Sequence, residues 1–303
     1  RKYGIIPMAK DEYALAIEKV RYIGDAVAAV AAADLDTVEE ALELIKVEYE
    51  ELPAVFDPME AIKPGAPIIH EGVENNISAH IRKQFGDVEK GFSESDFIFE
   101  ETFYSQAVNH CPIEPHAALA TYDASGKITI WSSTQIPFFL KRNLSTTLDL
   151  PESKIRVIKP KVGGGFGGKI DMYAKDYCAC FLSMKTGRPV KIAYEREEVF
   201  ISTRQRHPMY LTIKTGVKKD GTLKAQKVLA YADGGAYNST GPLMITIAGY
   251  FLMLPYKIPN LLYEGFHVYT NKPVGGAMRG HGVPQMRFAV EVQLDMVAER
   301  IGI

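Results

Sequence analysis

Cysteine is scarce in this chain: Cys111, Cys178 and Cys180 are the only three in 303 residues. An odd number without regular spacing excludes a disulfide framework and fits a reducing, cytoplasmic compartment. Three scattered thiols also cannot ligate an iron–sulfur cluster. Cys178 and Cys180 lie two apart in a helix-like run, on different faces, so core packing is their expected role. Excess basic charge is missing too. A formal net charge of −2 leaves no electrostatic footprint for nucleic acid, and no basic run suits a membrane surface. The longest apolar stretch, Leu243 to Leu254, is interrupted by Thr246 and Gly249 and falls short of a membrane span. There is no signal-peptide pattern, no repeat and no low-complexity segment. The chain opens on Arg1 rather than Met, which leads us to expect a portion of something longer. What remains, 47% hydrophobic and 24% charged residues, describes a globular protein of one or two domains.

The most informative feature present is Gly163-Gly164-Gly165-Phe166-Gly167-Gly168-Lys169. Five glycines in six residues let a backbone turn sharply and approach another group closely. The loop follows a strand-like run, Ile155 to Val162, and precedes a helix-like run, Met172 to Met184. Elsewhere, strands are predicted at Ala26 to Ala31, Val47 to Glu50, Phe99 to Phe103, Ala117 to Tyr122 and Ile128 to Ser132. Further strands are predicted at Val190 to Tyr194, Met209 to Val217 and Leu223 to Tyr231. The last two are joined by a hairpin turn at Lys218 to Gly221. A helix is predicted from Thr37 to about Ile45, capped by Asp36, with Leu42 and Ile45 as its buried stripe. A final helix runs from Pro284 to Arg300, with Val290, Leu294, Val297 and Ile301 on one face. Residues 53–80, rich in proline, read as a surface connection.

The glycine loop admits three readings. Gly163, Gly165 and Gly168 match the dinucleotide fingerprint, with Glu195 as ribose ligand, but that acid lies too far along the chain. Gly163, Gly168 and Lys169 match a phosphate-binding loop, but Ile170 stands where a magnesium-binding hydroxyl is needed. The third reading uses companions elsewhere: Ser133-Thr134-Gln135, Arg206-His207-Pro208 and Ala277-Met278-Arg279-Gly280-His281-Gly282. Val20 to Asp25, Val47 to Pro53, Phe85-Gly86-Asp87, Ile113-Glu114-Pro115, Tyr256 to Asn260 and Thr270-Asn271 complete the set. In this order they resemble the molybdenum-binding large subunit of the xanthine dehydrogenase and aldehyde oxidase family.

The resemblance implies an α+β fold: a partial α/β hammerhead domain over residues 1–55, a linker over 56–80, and the first half of a molybdopterin-binding domain, with mixed sheets and packed helices, over 81–303. It implies a molybdenum–molybdopterin cofactor, in its cytosine dinucleotide form, with no direct protein bond to the metal. Gln135 would donate to the metal's oxo ligand, Gly165, Phe166 and Gly167 would bring backbone against the cofactor, and Arg279 and Gly280 would form the facing wall. The catalytic base would lie in a second half beyond Ile303, and iron–sulfur (2Fe-2S) and FAD subunits would carry electrons away. The substrate pocket would include Ile170, Ile247 and His281. Ile170 and Ile247 stand where purine-oxidising members carry charged contacts, which disfavours a purine. Met278 to Gly282 is similar to 4-hydroxybenzoyl-CoA reductase, a reductive dehydroxylase. Gly168 to Asp171 and Arg206 to Met209 look more like nicotinate-type hydroxylases. The substrate therefore stays open among aromatic, heteroaromatic and aldehyde compounds, and a noncatalytic assembly fragment is the alternative from another class. His281 is expected to titrate near neutrality. His110, Cys111, Glu114 and His116 suggest zinc, but their spacing matches no usual pattern.

Overall fold

The computed structural model describes residues 1–252 and 254–303. The first helices and strands are α1 (Leu35–Leu44), α2 (Pro58–Ala61), β1 (Ile77–Phe85), α3 (Val88–Ser93), β2 (Phe97–Ser105), β3 (Val108–Asn109), β4 (Ala117–Tyr122), β5 (Ile128–Ser132), α4 (Pro137–Leu148) and β6 (Ile155–Ile158). They are followed by α5 (Ala174–Thr186), β7 (Val190–Ala193), α6 (Arg196–Ser202), β8 (Gln205–Arg206), β9 (Met209–Val217), β10 (Leu223–Gly235), α7 (Gly241–Phe251), β11 (Asn260–Tyr269) and α8 (Val283–Ile301).

Two larger sheets organise the described residues, with helices on both faces of the first and on one face of the second. The larger has the order β1-β11-β10-β9-β2, antiparallel except for the β10–β11 pair. Its hairpin β9–β10 turns where the sequence places it, with Gly221 at φ +84° and Val217 paired to Leu223. Met209, Leu211 and Ile213 alternate inward along β9, as period-2 side chains must. They meet Val228 and Ala230 of β10 beneath Met244, Ile245 and Ala248 of α7 and Met286 and Val290 of α8. The second sheet, β6-β5-β4-β7, packs Ile128 and Ile130 against Leu140 and Leu144 of α4 and Tyr177 and Cys180 of α5. Cys178 is buried as well, and burial pushes its thiol up to about 11, so both helix cysteines are unreactive packing residues.

The N-terminal region departs from its predicted elements. Neither Ala26–Ala31 nor Val47–Glu50 forms a strand, because neither finds a ladder partner; a single Ala16 N–H to Ala26 O bond marks the first stretch. Helix α1 is capped by Asp34, not Asp36: its carboxylate accepts from the Thr37 N–H at 2.9 Å. Leu42 and Ile45 are exposed, at 49% and 38%, since no described residue covers α1. The segment 53–80 is more than a surface connection. Val55, Ala61 and Ile69 are buried against Val268 and Tyr269 at the end of β11. Asn76 makes that burial possible by donating to the carbonyls of Ala61 and Pro67 and accepting from the Ile69 N–H.

Candidate functional site

Strand β6 ends at Ile158, four residues short of the expected Val162, and the chain then runs irregularly into the glycine loop. Gly164, Phe166 and Gly167 take positive φ values of +98°, +53° and +103°. The loop folds around Gln135, at the end of the β5–α4 connection. A Cβ on Gly165 would lie 2.6 Å from Gln135 Oε1, so only glycine admits the amide there. Gln135 Oε1 accepts from the Gly167 and Lys169 N–H groups at 3.1 and 3.2 Å. Two backbone donors fix the oxygen on this side, so the amide NH₂ must point the other way, where it is free to donate. The Gly167 N–H thus serves Gln135. The N–H groups of Gly164, Gly165 and Phe166 make no hydrogen bond among the described residues.

The loop preceding α8 stands opposite. The Arg279 N–H donates to the Phe166 carbonyl at 2.8 Å, and the Arg279 guanidinium lies 5.9 Å from the Phe166 ring centre. A Cβ on Gly167 would lie 2.5 Å from Ala277 O. Behind this contact Arg206 donates to the Arg279 carbonyl at 2.8 Å, and His110 Nε2 lies 2.7 Å from the Ala277 carbonyl. Gly165, Phe166, Gly167, Arg279 and Gly280 thus belong to one pair of facing loops, with Gln135 of the β5–α4 connection bonded to the first. His281 sits in the same loop, but its Nε2 lies 2.9 Å from the Thr240 hydroxyl. Burial, aided by Arg206, pushes its pKa down to about 4, so the expected titration near neutrality is corrected. Ile247 lies on α7, the helix whose Met244 and Ala248 touch Gly282. The Ile170 N–H closes the loop onto the Gly167 carbonyl.

The two rejected readings fail in the geometry as well. Lys169 does not reach toward a phosphate: its side chain is fully buried, with Nζ 2.5 Å from Glu114 Oε2 and 2.9 Å from Glu114 O. Burial lowers the Lys169 pKa, with Glu114 opposing. Burial alone would raise the Glu114 carboxyl, but hydrogen bonds from Lys169 and the Gly163 N–H outweigh it and lower the pKa. Nor does the loop open directly into a helix: Ile170 to Tyr173 intervene, and the first turn of α5 is closed by its own Tyr173 and Asp176. Glu195 caps α6. The zinc expectation also falls away. His116 faces the Gly168 carbonyl at 3.1 Å, Cys111 is exposed, and no three metal-type side chains converge among the described residues.

One residue escaped the sequence reading. Arg204 is 1% exposed, donates through Nε to Asp171 at 2.7 Å, and also pairs with Glu12. Ser239 donates to the same Asp171 oxygen at 2.5 Å. Arg204 lies two residues before Arg206-His207-Pro208, and nothing local distinguishes it from a surface arginine.

The molybdopterin cofactor-binding domain profile matches residues 69–303, and the a/b hammerhead domain of aldehyde oxidase and xanthine dehydrogenase matches residues 1–53. The nicotinate dehydrogenase large molybdopterin subunit of Eubacterium barkeri is 42% identical over 301 residues, covering 99% of this chain and 70% of that protein. The xanthine dehydrogenase molybdenum-binding subunit of Escherichia coli is 39% identical over 290 residues, covering 96% of this chain but only 38% of its own length. Among solved structures, the aldehyde oxidoreductase of Desulfovibrio gigas superposes with a TM-score of 0.93 at 32% identity, over 98% of this chain and 33% of that one. Quinoline 2-oxidoreductase of Pseudomonas putida 86 gives 0.91 at 30%, over 96% and 37%.

Proposed function

This chain belongs to the aldehyde oxidase and xanthine dehydrogenase family, and on that premise we propose that it forms part of the molybdopterin-binding subunit of a molybdenum hydroxylase. Its substrate is a heteroaromatic, aromatic or aldehyde compound. The cofactor, in its cytosine dinucleotide form, would be held at the glycine loop, Gln135 and the Ala277–Gly282 loop. A second molybdopterin-binding half, a 2Fe-2S subunit and an FAD subunit complete the assembly, in the cytoplasm. No helix among the described residues is long and apolar enough to cross a membrane.

The observation that carries this reading is the orientation of Gln135. Its oxygen is held by Gly167 and Lys169, so its NH₂ would offer the cofactor a neutral donor. The free N–H groups of Gly164 to Phe166 add further donors with no Cβ in the way at either glycine. Arg279 is positioned by its N–H on Phe166 and by Arg206 on its carbonyl. The cofactor, when bound, supplies the two-electron redox chemistry that these side chains lack. Glu114, beside the glycine loop, is engaged by Lys169 and Gly163, and we place the general base in the second half. His281, neutral at physiological pH, serves as a hydrogen-bonding wall of the substrate pocket beside Ile170 and Ile247.

The test is metal and pterin analysis of the complex purified from its native host, wild type and Gln135→Glu. The wild type should carry molybdenum and a pterin. The variant keeps oxygens for Gly167 and Lys169 but loses the NH₂ donor, and turnover should fall roughly 10²-fold or more. A complex without molybdenum, or a variant with full turnover, refutes the reading.

A further inference from the structure

The Gly168 carbonyl is met by two buried side chains at once. The Tyr173 hydroxyl donates to it at 2.5 Å, and His116 Nε2 lies 3.1 Å away. Tyr173 immediately precedes α5 and His116 immediately precedes β4; they are 2% and 1% exposed. Their rings meet edge-on with centres 4.9 Å apart. A carbonyl only accepts, so His116 carries its proton on Nε2. Its Nδ1 is then a bare acceptor, without a hydrogen-bond partner among the described residues. One donor satisfies a buried carbonyl, whereas a buried nitrogen left unpaired is costly. Satisfying the backbone therefore does not account for His116.

What a second donor adds is a fixed peptide plane. The Gly168 carbonyl and the Lys169 N–H belong to one planar trans peptide and point in opposite directions. On the far side, that N–H donates to Gln135 Oε1 at 3.2 Å. Lys169 holds Gln135 a second time, because its carbonyl accepts from the Gln135 backbone N–H at 2.8 Å. Any tilt of the plane would swing a donor that orients the Gln135 amide. Glycine makes such a tilt easy, and its surroundings resist it. The Gly168 N–H closes onto the Gly165 carbonyl at 2.7 Å, and a Cβ on Gly168 would come within 2.8 Å of the His110 ring. Two donors on one carbonyl also polarise the peptide, which strengthens the Lys169 N–H as a donor.

We propose that Tyr173 and His116 are positioning residues for Gln135: they clamp the Gly168–Lys169 peptide, so that the Lys169 N–H holds the amide oxygen and the NH₂ stays turned outward. The clamp consists of hydrogen bonds within this chain, and only its consequence for turnover rests on the function proposed above. Burial lowers the His116 pKa to about 3, so the imidazole stays neutral, with its one proton on Nε2.

The test uses the native complex carrying Tyr173→Phe, His116→Met or both. Tyr177→Phe is the control, since that hydroxyl lies buried in α5 with no partner among the described residues. Hydrogen–deuterium exchange at the Lys169 amide should quicken in each single variant, quicken further in the double, and stay level in the control. With rates expressed per bound molybdenum, KM should hold while kcat falls roughly threefold in each single variant. The double variant should lose more than the product of the two, roughly ninefold, because only there does the carbonyl lack both donors. His116→Gln, whose amide can donate, should recover what His116→Met loses. A double variant that loses no more than the product, or whose Lys169 amide exchanges as in the wild type, overturns the clamp. If Tyr173→Phe does not assemble, His116→Met and His116→Gln decide alone, and equal exchange in those two overturns it. A wild-type complex lacking molybdenum sinks the reading of the preceding subsection instead, while exchange at Lys169 still decides the clamp.

Discussion

Acid should destabilise this fold steeply, and the magnitude follows from its histidines. Burial lowers His116 and His267 to about 3, His70 and His281 to about 4, and His207 well below its ordinary value. A histidine whose folded pKa is depressed destabilises the fold as pH falls through its unfolded value, because the unfolded chain takes up a proton that the folded chain refuses. Between pH 7 and pH 5, an unfolded histidine of pKa about 6.5 gains about three quarters of a proton, which costs the fold about 2 kcal/mol per group. Five such groups amount to roughly 9 kcal/mol. Glu12 works in the opposite direction. Its carboxyl is raised to about 7 by burial, against Arg204, so on acidification the folded state takes up a proton first and recovers about 2 kcal/mol. The net loss, roughly 7 kcal/mol, is comparable to the whole stability of a typical domain. Urea unfolding of the chain, followed by its single tryptophan, Trp131 in β5, at pH 7, 6 and 5 measures this directly. The midpoint should collapse toward pH 5, and a midpoint that stays level or rises over that range refutes the reasoning.

Gly165→Ala forces a methyl group to 2.6 Å from Gln135 Oε1; pterin and molybdenum content should drop in the purified complex, while the urea midpoint moves little. Glu114→Ala leaves the fully buried Lys169 ammonium with one carbonyl acceptor and should cost ~2 kcal/mol, less than a wholly enclosed pair because Glu114 is a third exposed. Lys169→Met in that background should recover part of the loss by denaturant titration. Glu12→Gln removes a carboxyl that ionises reluctantly, so between pH 6 and pH 8 the variant should gain about 1.4 kcal/mol on the wild type. Parallel stability curves over that range exclude the assignment of Glu12.

What could be read from the sequence was local, and what could not was relational. β9 and β10 were legible because alternating side chains meet a hairpin turn, and α8 because Val290 and Val297 repeat at helical spacing. β11 escaped the reading. Its partner β10 is reached only through the α7 crossover, so no local turn announces the pairing. The opposite error occurred at Ala26–Ala31, where strand-forming composition met no partner. At the site, the glycines and the family motifs singled out segments that the fold brings into contact. They could not reveal that Gln135 turns its oxygen toward the glycine loop, 32 residues away. Nor could they show that burial takes His281 out of the neutral range.

Arg204 explains why these separate segments behave as one electrostatic unit. A single buried guanidinium is shared by Glu12 in the N-terminal segment and Asp171 just past the glycine loop. Its charge is held firmly, with desolvation outweighed by Asp171 and Glu12. Burial raises the Glu12 carboxyl, and Asp171 adds to the rise, because one positive charge cannot fully compensate two carboxylates in a low-dielectric interior; the two outweigh the arginine in contact. The backbone carries the consequence further. The Arg204 carbonyl lies 3.1 Å from His110 Nδ1, whose other nitrogen lies 2.7 Å from the Ala277 carbonyl of the facing loop. A neutral imidazole donates to one of these carbonyls only, and burial keeps His110 neutral by lowering its pKa. The proton on His110 therefore selects which wall is bonded, the Arg204 segment or the Ala277 loop. A Cβ on Gly168 would lie 2.8 Å from that same ring. Both glycine-rich loops consequently rest on one histidine and, through Arg204, on the first twelve residues of the chain.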